Sequence, residues 1–84
     1  MEAWIDQLAE ALGEDTLSEV ETAQLLNVAR DVAHRVERKI TPLASFLLGC
    51  AAGRSMAGGG ARADAMGAAM DTIRDLLPDA PTEA

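Results

Sequence analysis

The chain has 84 residues, with 14 Asp and Glu against 7 Lys and Arg, a formal net charge of −7 and a hydrophobic content of 49%. A chain this short makes one domain with a modest core, and one this apolar is not wholly disordered. The acidic balance and the near absence of aromatics, Trp4 and Phe46 only, work against nucleic-acid binding, which needs cationic surface and stacking platforms.

Alanine, leucine and methionine supply most of the apolar volume, and strand-favouring residues are scarce, so the class expected is all-α. Four helices are predicted. The first covers residues 2–12, with Trp4, Ile5, Leu8, Ala11 and Leu12 at helical spacing and Gly13 as its stop. The second covers residues 18–39. Ser18 and Glu21 read as a capping box at its start. Leu25, Ala29, Val32, Val36 and Ile40 form its inner stripe, widened by Leu26 and Ala33.

Thr41 and Pro42 read as an N-cap and a first helical residue. The third helix, residues 42–56, is apolar on nearly every side and is expected to be the most buried. Its stripe is Leu43, Phe46, Leu47 and Cys50, with Cys50 read as a small buried residue. Gly49 and Gly53 would let another helix approach closely. The run Gly58 to Gly60 breaks the chain before a fourth helix over residues 61–77, with Met66, Met70, Ile73 and Leu77 inward. Residues 78–84 are expected to be a flexible acidic tail. Short connections favour antiparallel neighbours, so residues 1–77 are expected to form an up-and-down four-helix bundle. The long inner stripes also allow a homodimer.

One cysteine excludes an internal disulfide and fits a reducing compartment, and one Cys with one His excludes a cysteine-rich zinc site. The start carries Glu2 and Asp6, not a basic signal segment. The longest uncharged run, residues 40–53, is short of the about 20 residues a membrane span needs. A cytoplasmic protein that does not enter the membrane is the expectation.

Charge is unevenly spread. Five of the seven Lys and Arg residues lie between residues 30 and 54, against two acids there, Asp31 and Glu37. On a helix, Asn27, Asp31, His34 and Arg38 fall on one face. That face is either a solvated surface with intrahelical pairs or an anion site built from His34 and Arg38 with Arg30. Arg54 continues the apolar stripe of the third helix. A lone buried charge there would cost several kcal/mol. Arg54 therefore reaches solvent, pairs with an acid such as Glu37 or Asp31, or lines a pocket for an anion.

Residues 25–54, LLNVARDVAHRVERKITPLASFLLGCAAGR, resemble a small actinobacterial domain family of unknown function, found alone or fused to the molybdenum cofactor guanylyltransferase. The similar positions are Leu26, Ala29 to His34, Arg38, Pro42, Leu43, Phe46, Leu47, Gly49 and Ala51 to Gly53. Trp4, Leu8, Ala9, Leu12 and Gly13 are similar as well. The resemblance implies a non-catalytic accessory module in the biosynthesis of molybdopterin guanine dinucleotide. It would present Arg30, Asp31, His34, Arg38 and Arg54 to a phosphorylated pterin, a nucleotide, the guanylyltransferase or a molybdoenzyme. The transferase's nucleotide-binding loop has no counterpart here, so guanylyltransferase activity is not implied. No motif requires a cofactor. The alternative is a structural or oligomerisation module with no ligand. A third reading makes His34 a general base oriented by Asp31 or Glu37.

Overall fold

The computed structural model describes residues 2–79 and is all-helical among them. Four α-helices follow one another: α1 (Glu2–Ala11), α2 (Glu19–Arg35), α3 (Thr41–Ala57) and α4 (Arg62–Leu76), with a 3-10 turn (Arg38–Ile40) between α2 and α3.

Local chemistry sets the ends of α1 and the start of α2. Gly13 has φ +74°, a left-handed conformation that suits glycine. Its N–H donates to the Glu10 carbonyl at 3.0 Å, and the Glu14 N–H reaches the Ala9 carbonyl at 2.8 Å, closing the helix in a Schellman arrangement. The capping box at Ser18 is present in full. The Glu21 N–H donates to Ser18 Oγ at 3.0 Å, and the Ser18 N–H donates to Glu21 Oε1 at 2.9 Å.

The end of α2 differs from expectation. The helix stops at Arg35 rather than running to residue 39, and Glu37 is extended, with φ −168° and ψ 141°. A helix continued through residue 42 would drive the Pro42 ring into the carbonyl of Arg38 and lose a hydrogen bond. The chain breaks early instead and re-enters through the 3-10 turn. Thr41 is not the cap of α3 either. It lies inside the helix after Ile40, and its Oγ1 is buried without a partner among the described residues.

The core lies where α2, α3 and α4 meet. Its buried residues are Val28, Val32, Leu48, Ala52, Ala65, Met66 and Met70. Leu25, Ile40, Ala44, Met56, Ala69, Ile73 and Leu77 pack around them. The inward face of α4 is the one expected. The face of α2 is turned, because Val28 is buried and Val36, beyond the helix end, is exposed. The face of α3 is corrected outright. Leu43, Phe46 and Leu47 are 59%, 70% and 66% exposed, and Cys50 is exposed too. Leu48 and Ala52 face inward in their place. The reason lies in the residues at the contact: small side chains (Ala44, Ala52, Ala65, Ala69) stand between α3 and α4, so their backbones approach, and the larger side chains of α3 are left at its margin and outside.

α1 packs less closely than these three, with Ile5 and Asp6 facing Thr22, Ala23 and Leu26 of α2 across a hollow. None of its Cα atoms lies within 8 Å of a Cα in another helix. Trp4 and Leu12 are exposed, while Leu8 and Ala9 are half-buried against the connection to α2. The expected tail at residues 80–84 lies outside the described residues. Pro78 is tied to the body, its carbonyl accepting from Arg35 Nη1 at 3.3 Å. No helix of the described residues is long and apolar enough to cross a membrane.

Candidate functional site

The basic residues of the central hairpin do not converge. Arg30, Asp31 and His34 lie on the second half of α2, and Arg38 lies on the 3-10 turn. The helix break takes Arg38 off the polar face that Asn27, Asp31 and His34 share. Arg30 Nη2 donates to Asn27 Oδ1 at 2.6 Å. Lys39 pairs with Glu37 at 3.5 Å in full solvent exposure, a contact of little energetic weight. His34 is exposed, and Asp31 is half-buried.

Arg54 is at the far end of the hairpin. α2 and α3 are joined by the short connection over residues 36–40, and His34 lies beside it at the end of α2, whereas Arg54 lies in the last turn of α3. At 1.5 Å per residue, His34 and Arg54 are therefore about 20 Å apart along the hairpin. The Arg54 side chain makes no ion pair or hydrogen bond among the described residues and is exposed. Of the three readings for Arg54, the solvent-reaching one describes this structure, because the whole stripe it continues lies at the surface.

The best-anchored cation is one that sequence reasoning passed over. Arg62 Nε lies 3.2 Å from Glu21 Oε2, with both side chains mostly buried. Its Nη1 donates to the Asp15 carbonyl at 2.9 Å and its Nη2 to the Thr16 carbonyl at 3.4 Å. Glu21 thus serves the capping box with one oxygen and Arg62 with the other. A signal was there: a cation in the first turn of α4 opposes the helix dipole, so a partner elsewhere was to be expected.

Two concavities of about 480 Å³ flank α2, one shared with α1 through Ile5, Asp6, Thr22 and Leu26, and one that is largely apolar. The latter is a cleft between α2 and α3, floored by Leu25, Leu48, Ala52 and Met66 and closed at one end by Glu14 and Arg62. Ser45, Gly49 and Gly53 form one wall. A Cβ added at Gly49 or Gly53 would meet no atom within 4 Å. The glycines expected to admit a neighbouring helix thus have none beside them in their own chain. Beyond that wall, Phe46, Cys50, Leu43 and Leu47 continue the uncovered face of α3. Among the described residues, no three His, Cys, Asp or Glu side chains group as a metal site.

Residues 1–84 match a family described as a domain of unknown function (DUF6457). The chain belongs to that family. The expectation of an unknown-function domain holds to that extent, and the match extends it over the whole chain. No curated protein and no solved structure matches the sequence.

Proposed function

We propose that this member of the family is a non-catalytic accessory module that binds a protein through the uncovered face of α3, in the cytoplasm, in the service of molybdenum cofactor assembly. The carrying observation is that face: Leu43, Phe46 and Leu47 are apolar, large and open to solvent on one rigid helix. Exposed contiguous apolar surface of this kind marks interaction sites in folded proteins, and aromatic residues anchor them. The basic residues Arg30, Arg38 and Arg54, with His34 and Asp31, surround the hairpin as a polar rim that steers an acidic partner. Their separation favours a protein surface over a single phosphorylated pterin or nucleotide. The resemblance of residues 25–54 to domains fused with the guanylyltransferase supports that enzyme, or a molybdoenzyme, as the partner. The unpaired, exposed Cys50 is in keeping with a reducing compartment. The chain's own four helices, over residues 1–77, are read as an up-and-down four-helix bundle that presents this face.

Calorimetric titration of the full chain with purified guanylyltransferase tests this. The expected result is a complex that weakens at least tenfold on Phe46→Glu, a hot-spot-sized loss. Helical content should not change. Absence of a complex, together with a thermal shift on adding guanine nucleotide, would leave the small-ligand reading in its place.

A further inference from the structure

We infer that the uncovered face of α3 receives a single helix of its partner, laid along α3 and carrying acidic residues about four turns apart that meet Arg38 and Arg54. This rests on reading that face as a protein-binding surface, and it names the element the partner supplies.

The relief of the face fits a rod. At about 100° per residue, Phe46, Gly49, Cys50, Gly53 and Ala57 fall on one side of α3, and all five are exposed. A large aromatic ring stands toward one end of that side, and nearly bare backbone follows it. A Cβ added at Gly49 or Gly53 would meet no atom within 4 Å. Both glycines also edge the cleft toward α2, where Leu26 is exposed on the opposite wall. A ridge beside a trough suits a partner whose side chains interdigitate with it, as the ridges of one helix pack into the grooves of another. A flat lipid surface would leave the trough unfilled. The small residues let two backbones come close, and Phe46 supplies the aromatic anchor.

Charge gives the length and sign of the rod. From Ile40 to Gly53 the chain carries no charged residue, so a helix lying there buries no charge of α3. Cations stand at both ends. Arg38 and Lys39 occupy the turn before α3, Arg54 lies in its last turn, and all three are exposed. Lys39 is met by Glu37. Among the described residues, no ion pair or side-chain hydrogen bond holds Arg38 or Arg54. Those two guanidinium groups are the open charges of the face, one at each end. At the rises of a 3-10 turn and an α-helix they lie about 25 Å apart along the axis. Carboxylates about four turns apart on a facing helix span roughly 22 Å, and the long arginine stems take up the remainder. Exposed pairs of this kind add little affinity, but they fix register and partner choice. The apolar contact holds the helix, and the two arginines select it.

The full chain is titrated with two labelled, stapled helical peptides of about 18 residues, each bearing an alanine and leucine stripe. One carries glutamate toward both ends, about four turns apart, and the other carries lysine in the same places. Fluorescence anisotropy should show the glutamate peptide binding at least about fivefold more tightly, by a margin that shrinks with salt. Arg54→Glu should erase that margin. Gly49→Leu favours the helix and places a side chain in the trough. It should keep the helical signal and weaken the glutamate peptide at least about tenfold. Four results overturn the inference: no binding of either peptide, equal binding of both, binding indifferent to Gly49→Leu, or tighter binding to vesicles of phosphatidylglycerol and phosphatidylcholine. Sedimentation of the chain alone covers the remaining occupant, since a dimer lost on Gly49→Leu would put a second copy on this face and overturn it too. Guanylyltransferase binding, read through Phe46→Glu, is a separate titration. A transferase that binds while both peptides fail sinks this inference alone, and peptide selection without transferase binding sinks that partner alone.

Discussion

Leu47 and Leu48 are neighbours in sequence with different surroundings: Leu48 is 7% exposed inside the contact with α2 and α4, and Leu47 is 66% exposed at the margin of α3 and α4, by Ala69 and Ile73. The two faces of this helix are similarly hydrophobic and differ in size. The inner face is built mainly from alanine around one leucine, and the outer face carries Leu43, Phe46 and Leu47. Small residues let α3 and α4 come close, so most of the internal cohesion comes from a narrow seam. The larger apolar side chains lie outside that seam. Hydrophobicity alone does not say which side of such a helix is the core.

The sharpest test of that comparison is truncation of the inner leucine. Leu48→Ala removes a side chain that touches the buried residues of α2 and α4, and large-to-small changes at such sites cost about 2–4 kcal/mol. Denaturant unfolding of the full chain should show the midpoint falling sharply with the slope unchanged. A loss below about 1 kcal/mol would mean that the inner face is not the core.

A second test concerns the clamp that sets α1 off from the rest. Arg62→Met keeps much of the side-chain volume but removes the ion pair to Glu21 and two hydrogen bonds to loop carbonyls. Charge-assisted bonds at a mostly buried site are worth more than surface pairs, and about 1–2 kcal/mol should be lost. Amide hydrogen exchange should rise first at residues 14–18, ahead of α3. Unchanged protection there would show that the loop is held by something else.

What the sequence made legible follows from where the physics is local. Gly13, the Ser18–Glu21 box and the three glycines before α4 act within a few residues, and each stands where periodicity and turn chemistry put it. The break at Val36 was hidden because the apolar spacing runs on through Val36, and Pro42 reaches back only as far as the Arg38 carbonyl. The facing of α3 was hidden because a helix apolar all round has no asymmetry to read. Only its neighbours choose the inner side, and the alanines of α4 make that choice. Among site residues, Arg30, Asp31 and His34 share a helix as the spacing implied, whereas Arg54 was assigned to their neighbourhood by an apolar stripe that turned out to face water. Arg62 contacts residues more than 40 positions away, a pairing that no local pattern displays.

The smallest effect should come from the outer leucine. Leu47→Ala deletes three carbons that are already largely hydrated, so the unfolding free energy should move by no more than about 0.5 kcal/mol, against the several lost at the adjacent residue. Alanine also favours the helix slightly more than leucine does, which offsets part of that loss. The contrast between residues 47 and 48, measured side by side under one denaturant, separates surface from core with one pair of variants. If Leu47→Ala instead costs as much as Leu48→Ala, then Leu47 is already covered in solution, and the concentration dependence of that cost identifies the cover. A cost that vanishes on dilution belongs to a partner chain, and one that persists belongs to the fold itself.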